Sequence, residues 1–164
     1  MNVTMRNQAA PALAVAILAS ALCAAASAAI KPFPPPSGWD QVQQQAPPGT
    51  TMLVWTKDSG PLQQTLTVVD DPNEAYTDAV QRVQKNITAN KFKVSANRDQ
   101  ACNGVTGHLF AMAYGPDVGR VAVDRLILPD GTGSEQITYM RPQPEPFADE
   151  IKAELNTYCG TTVE

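Results

Sequence analysis

The chain has 164 residues and a net charge of −4, from 12 basic and 16 acidic side chains. That length suits one domain. The acidic balance repels phosphate backbones, so nucleic acid and anionic membrane surfaces are not expected partners.

The first element in chain order is a leader. Ala9 to Ala29 is nearly all small or apolar, Arg6 is the one charged side chain before Lys31, and Ala26-Ser27-Ala28 supplies a small-x-small ending. A basic start, an apolar run and such an ending form a secretory signal, which places cleavage after Ala28 and the mature protein outside the cytoplasm, periplasmic or secreted. Two alternatives compete. The run is long enough for an uncleaved anchor, which needs roughly 20 apolar residues, but it is mostly weakly hydrophobic alanine with no charged stop. Acylation at Cys23 would make a lipoprotein, but Ser20-Ala21-Leu22 before it is a poor lipobox. The expected organisation is a signal peptide over 1–28, a Pro-rich linker over 29–49 and a single α+β domain over 50–164, with no stable membrane insertion after cleavage.

Of the three cysteines, Cys23 leaves with the leader and Cys102 and Cys159 remain. An even pair in an exported chain reads as one disulfide. On the chain-entropy model such a link contributes about 4 kcal/mol. The competing reading, a reactive or metal-binding thiol pair, lacks a C-x-x-C motif, and the single histidine cannot complete a zinc site. No metal and no cofactor are expected.

The Lys31-Pro-Phe-Pro-Pro-Pro36 stretch has fixed φ angles and few donors, so an extended tether is predicted, followed by a short helix around Trp39. Thr51 to Lys57 and Leu62 to Val69 alternate apolar and polar residues, with turn residues Asp58 to Pro61 between them, and predict a hairpin. Asp71-Pro72-Asn73-Glu74 carries helix-start chemistry, with Asp71 as the cap and Glu74 completing a capping box. Tyr76, Ala79, Val80, Val83 and Ile87 then recur at helical spacing, and the helix should end near Asn90.

Lys91 to Arg98 predicts another strand, and Asn97 to Gly104 a polar connection holding Cys102. Along Val105 to Tyr114, His108, Phe110, Met112 and Tyr114 share one face while Leu109, Ala111 and Ala113 share the other. Arg120 to Leu128 and Glu135 to Arg141 complete a meander through Gly/Pro turns. Past the proline corner at Pro142 to Pro146, a closing helix opened by Pro146 carries a stripe of Phe147, Ile151, Leu155 and Tyr158, with Asp149 and Glu150 in its first turn and Gly160 as its stop. The fold class is therefore α+β, ordered β-β-α-β-β-β-β-α: a mainly antiparallel sheet with amphipathic helices packed on its faces.

This order resembles the PsbP-like superfamily of small domains. The carrying stretches are Asp71 to Ile87, Gly104 to Tyr114, Arg120 to Leu128 and Phe147 to Tyr158. The resemblance lies in element order rather than in a motif, and it carries no functional residue to a numbered position. It implies an α/β/α sandwich and docking roles.

Candidate chemistry is sparse. His108 is the one side chain whose ordinary pKa makes a switch near neutral pH, but a general base needs a nucleophile or an orienting acid beside it. Gly104 to Gly107 and Gly131 to Ser134 open no helix, so they read as turns rather than phosphate cradles. Asp124 and Arg125 point to opposite faces, and one of them should meet a cross-strand charge such as Glu135 or Arg141. An anion site of Arg120, Arg125 and Arg141 is the functional alternative. Asn86-Ile87-Thr88 matches a glycosylation acceptor, but it falls inside a predicted helix. These residues point to an exported, non-enzymatic module that docks on a protein or envelope partner. The alternative is a small-ligand carrier whose pocket is lined by Phe110, Met112, Tyr114 and Tyr139.

Overall fold

The computed structural model describes residues 32–59, 62–115 and 120–163. The leader, its cleavage position and Cys23 lie outside the described residues, as do parts of the turns at 60–61 and 116–119. Alternating sequences form the strands: β1 (Asp40–Val42), β2 (Thr51–Ser59), β3 (Leu62–Asp71), β4 (Lys93–Cys102), β5 (Val105–Tyr114), β6 (Val121–Asp130) and β7 (Gly133–Pro142). Two segments of helical period form α1 (Tyr76–Asn90) and α2 (Asp149–Cys159). Among the described residues the seven strands make one antiparallel sheet in the order β1-β2-β3-β7-β6-β5-β4. The α+β class is thus the observed one.

The period of two divides each strand between two cores. Ala79, Val83 and Ile87 of α1 pack on Phe110, Met112, Val123 and Ile127. Ile151, Leu155 and Tyr158 of α2 pack on the other set, including Leu66, Leu109, Leu126, Ile137 and Tyr139. Leu109 and Phe110 are neighbours on β5, as are Leu126 and Ile127 on β6, so the two helices cover opposite faces of the sheet.

Four expectations are corrected. The segment around Trp39 is a strand, β1, paired with β2 through Gln41 and Trp55, and not a helix. The Pro-rich segment is not a free spacer from residue 32 onward. Phe33 and Trp39 are buried, the Phe33 ring lies 5.2 Å from that of Tyr158, and Trp39 Nε1 donates to Glu150 Oε1 at 3.3 Å. These two aromatics bury enough apolar area to hold a proline-stiffened segment down, whatever its composition.

The third correction concerns the start of α1. Its N-cap is Ala75, with no side-chain cap, while Asp71 Oδ1 accepts from the Asn73 amide at 2.9 Å in a local turn. Glu74 turns to Arg82 (2.6 Å) and Gln136 instead of closing a capping box. α2 likewise begins later than Pro146, with Ala148 as its N-cap, leaving Phe147 half-buried ahead of the helix. Its predicted stop at Gly160 is observed, with φ 64°.

Fourth, β4 runs through to Cys102, and the connection to β5 is only Asn103-Gly104. Both residues have positive φ, 51° and 80°, the conformation a two-residue hairpin requires. Gly107 is no turn either. It lies within β5, where a Cβ would sit 2.4 Å from the Ile127 carbonyl oxygen. Cys102 and Cys159 are joined as expected, and the Asn103 amide donates to the Cys159 carbonyl at 2.8 Å, so the end of α2 is tied to this hairpin twice.

Candidate functional site

On the α2 side, the centre of the sheet carries large side chains, and α2 rests on them. Toward the β4 edge the same face carries small ones: Ala96 on β4 is paired in register with Ala111 on β5, and Ala113 with Ala122 on β6. A helix supported by Leu and Ile on one side and facing alanines on the other leaves a gap. The gap is a cavity of about 450 Å³ between α2 and the β4–β5–β6 strands, a size typical of small-ligand sites.

Its floor is Leu109, Ala111, Leu126 and Ile137, with Tyr139, Phe147 and Leu155 as walls. Three charged residues line it. Arg98 stands on β4 beside Leu109, Lys152 is exposed on α2, and Asp124 comes from β6. Arg98 Nη1 also donates to Gln100 Oε1 at 2.8 Å.

Asp124 is ion-paired with Arg141, one of the cross-strand partners expected for it. Burial raises its pKa and the Arg141 hydrogen bond opposes that rise. The Arg141 guanidinium lies 5.4 Å from the Tyr139 ring centre and 5.1 Å from that of Phe147. It thereby braces two wall aromatics of the cavity. Burial pushes the Tyr139 phenol up to about 12, so it stays protonated and donates to Gln64 Oε1.

The ligand residues expected from sequence do not converge. Phe110 and Met112 are buried under α1, Tyr114 is 38% exposed at the end of β5 and packs on Phe92, and Tyr139 faces α2 on the opposite side of the sheet. No pocket lined by all four exists among the described residues, because Phe110 and Tyr139 belong to different faces. Of the three arginines, Arg120 and Arg141 line one hollow of about 210 Å³, and only Arg125 separates from them. Arg125 lies on the α1 side, where its Nε donates to Thr138 Oγ1 at 3.0 Å, whereas Arg141 is on the α2 side.

His108 lies on the α1 face, 4.6 Å from the Phe110 ring. Its Nδ1 is 3.1 Å from Asp99 Oδ1, the orienting acid a general base would need, but its Nε2 is taken by the Asn97 amide oxygen at 2.6 Å rather than by a nucleophile. Among the described residues, no three His, Cys, Asp or Glu groups are placed to hold a metal ion. No helix among them is long and apolar enough to cross a membrane. Asn86 sits in α1, inside the helix predicted to contain it, and accepts from the Asn90 side chain.

Sequence reasoning missed Ala96, Arg98, Lys152 and Leu155 as site residues. One signal was present: the Leu109-x-Ala111-x-Ala113 face of β5, which is too small to fill the space under a helix.

No known protein family matches the chain, and no curated protein matches it. Among solved structures, the Pseudomonas aeruginosa protein of unknown function PA94 is 14% identical, with a TM-score of 0.47 over 65% of this chain and 83% of its own. That likeness carries no activity to this chain.

Proposed function

We propose that this chain is an exported, non-enzymatic binding protein with a PsbP-like α/β/α sandwich, and that it takes a small apolar ligand in the groove between α2 and β5. The observation that carries this reading is the 450 Å³ cavity over an alanine-faced strand pair, with an apolar floor and a few charged groups at its border. Export is supported by the Ala-rich run ending in Ala26-Ser27-Ala28 and by the Cys102–Cys159 link, which suits an oxidising compartment. A binding role is favoured over catalysis because His108 lies across the sheet from the groove, held between Asp99 and Asn97.

The test is titration with the neutral reporter N-phenylnaphthylamine. Ala111→Leu, which puts a larger side chain into the empty volume, should weaken binding at least tenfold, while Tyr114→Ala on the far face should leave it unchanged. Equal losses from both, or no binding by the wild type, would count against the groove.

A second reading, docking on an envelope protein, draws on β4. It ends the sheet, so its outer edge is open to an added strand. That reading expects slowed amide exchange along Lys93–Cys102 when the partner is added, and exchange unchanged there would dismiss it.

A further inference from the structure

We propose that the ligand of this groove carries a hydrogen-bond donor, a hydroxyl or an amide N–H on an otherwise apolar body, and that the donor sits over Ala111 between Asp124 and Ser95. The inference rests on the groove-binding reading and specifies its ligand. The hollow of about 210 Å³ that holds Arg120 and Arg141 shares Ser95 and Asp124 with the groove. Their placement follows from the strand pairing. Ala111 on β5 is in register with Asp124 on β6, and the Ser95 hydroxyl on β4 donates to the Ala111 carbonyl at 3.2 Å. β4 and β6 flank β5 and so stand about 10 Å apart, twice the spacing of neighbouring strands. The residue between Ser95 and Asp124 contributes only a methyl group.

Both shared groups accept hydrogen bonds and have none to give. Ser95 has one hydroxyl proton, and the Ala111 carbonyl takes it. Asp124, ion-paired with Arg141, is a carboxylate and so an acceptor alone. Its Oδ2 accepts from Arg141, and no described group donates to its Oδ1, although the side chain is only 16% exposed. A largely buried carboxylate oxygen without a donor costs free energy that a bound O–H or N–H recovers. Lys93 and Lys152 at the border are exposed on long stems that can turn to water, whereas Ser95 and Asp124 are short groups fixed on strands. An ether, ester or ketone placed here would set its oxygen against two acceptors. Leu109, Leu126 and Ile137 offer no polar partner, so the part of the ligand that lies on the groove floor is apolar.

The test is displacement of N-phenylnaphthylamine from the oxidised protein by decanol and by its isomer methyl nonyl ether, which has the same atoms but no O–H. Decanol should displace the reporter at about tenfold lower concentration, the effect of one hydrogen bond to a charged acceptor. In Asp124→Asn the amide oxygen can keep the Arg141 contact while the amide N–H takes the place of Oδ1, so the preference should vanish or reverse toward the ether. In the wild type, amide NMR shifts of the decanol and ether complexes should differ most at Ser95, Ala111 and Asp124, a readout that does not depend on the variant folding. Equal potency of the two isomers, an unaltered preference in Asp124→Asn, or shift differences centred elsewhere would overturn the donor assignment and leave the groove standing. Failure of the reporter and of both isomers to bind would overturn the groove reading itself.

Discussion

Glu135 is 4% exposed, and its Oε2 accepts from the Tyr158 hydroxyl at 2.7 Å. Burial, with smaller contributions from Asp130 and Asp70, pushes its pKa up to about 7, while the Tyr158 hydrogen bond opposes the rise. A carboxyl whose folded pKa exceeds its unfolded value binds its proton more tightly in the native state. The stability this adds is present in full below about pH 4.3, the usual glutamate value, and is lost as pH rises through about 7, by up to ~3 kcal/mol. Asp70 is shifted in the same direction, chiefly by burial. The expected outcome is that urea denaturation finds the wild type less stable at pH 8 than at pH 5, and that Glu135→Gln removes most of that difference. Equal pH dependence in both proteins would remove Glu135 as its source. None of this was legible in the sequence. Glu135 stood there only as a candidate charge partner for the Asp124-Arg125 pair, and nothing local places it beside Asp70 and Tyr158, which come from β3 and α2.

At the scale of elements, alternation and helical spacing located β2, β3, β5, β6, β7 and both helices, because each buries one face and exposes or differently buries the other. The failures were at the ends. Asp71-Pro72-Asn73-Glu74 has strong capping chemistry, yet Gln136 and Arg82 give Glu74 tertiary partners that draw it away from the α1 backbone. β1 could not be read, since three exposed residues carry no pattern and its strand state comes only from pairing with β2. α1 ends at Lys91 in the left-handed region, φ 53°, where the Phe92 amide reaches the Ile87 carbonyl at 3.2 Å. A side chain is disfavoured there by roughly 1 kcal/mol or slightly more. Lys91→Gly should therefore raise stability by about 1 kcal/mol in equilibrium denaturation, whereas a loss would show that the lysine side chain contributes more than its backbone conformation costs.

At the scale of the molecule, the Cys102–Cys159 link joins the β4–β5 hairpin to the end of α2, and the groove lies between those elements. The link was legible from the even pair of cysteines left once a leader is expected to be removed. The groove was not, because it depends on which strands α2 covers, and side-chain periodicity does not set that. Phe110, Met112, Tyr114 and Tyr139 looked like one pocket lining only while the two faces of the sheet were undistinguished. Intact-mass analysis of protein from the envelope fraction should give a chain starting at Ala29 and lacking the two thiol hydrogens. Reduction should then lower stability by up to about 4 kcal/mol and weaken N-phenylnaphthylamine binding along with it. An unprocessed chain, or two free thiols, would contradict export and the tie together.

The most direct measurement of the central claim is a two-dimensional amide NMR titration with N-phenylnaphthylamine, tracked residue by residue. The largest shifts should fall on Ala96, Arg98, Leu109, Ala111, Lys152 and Leu155, on the two sides of the groove. Shifts centred on Phe110, Met112 and the α1 face, or none at saturating ligand, would contradict it.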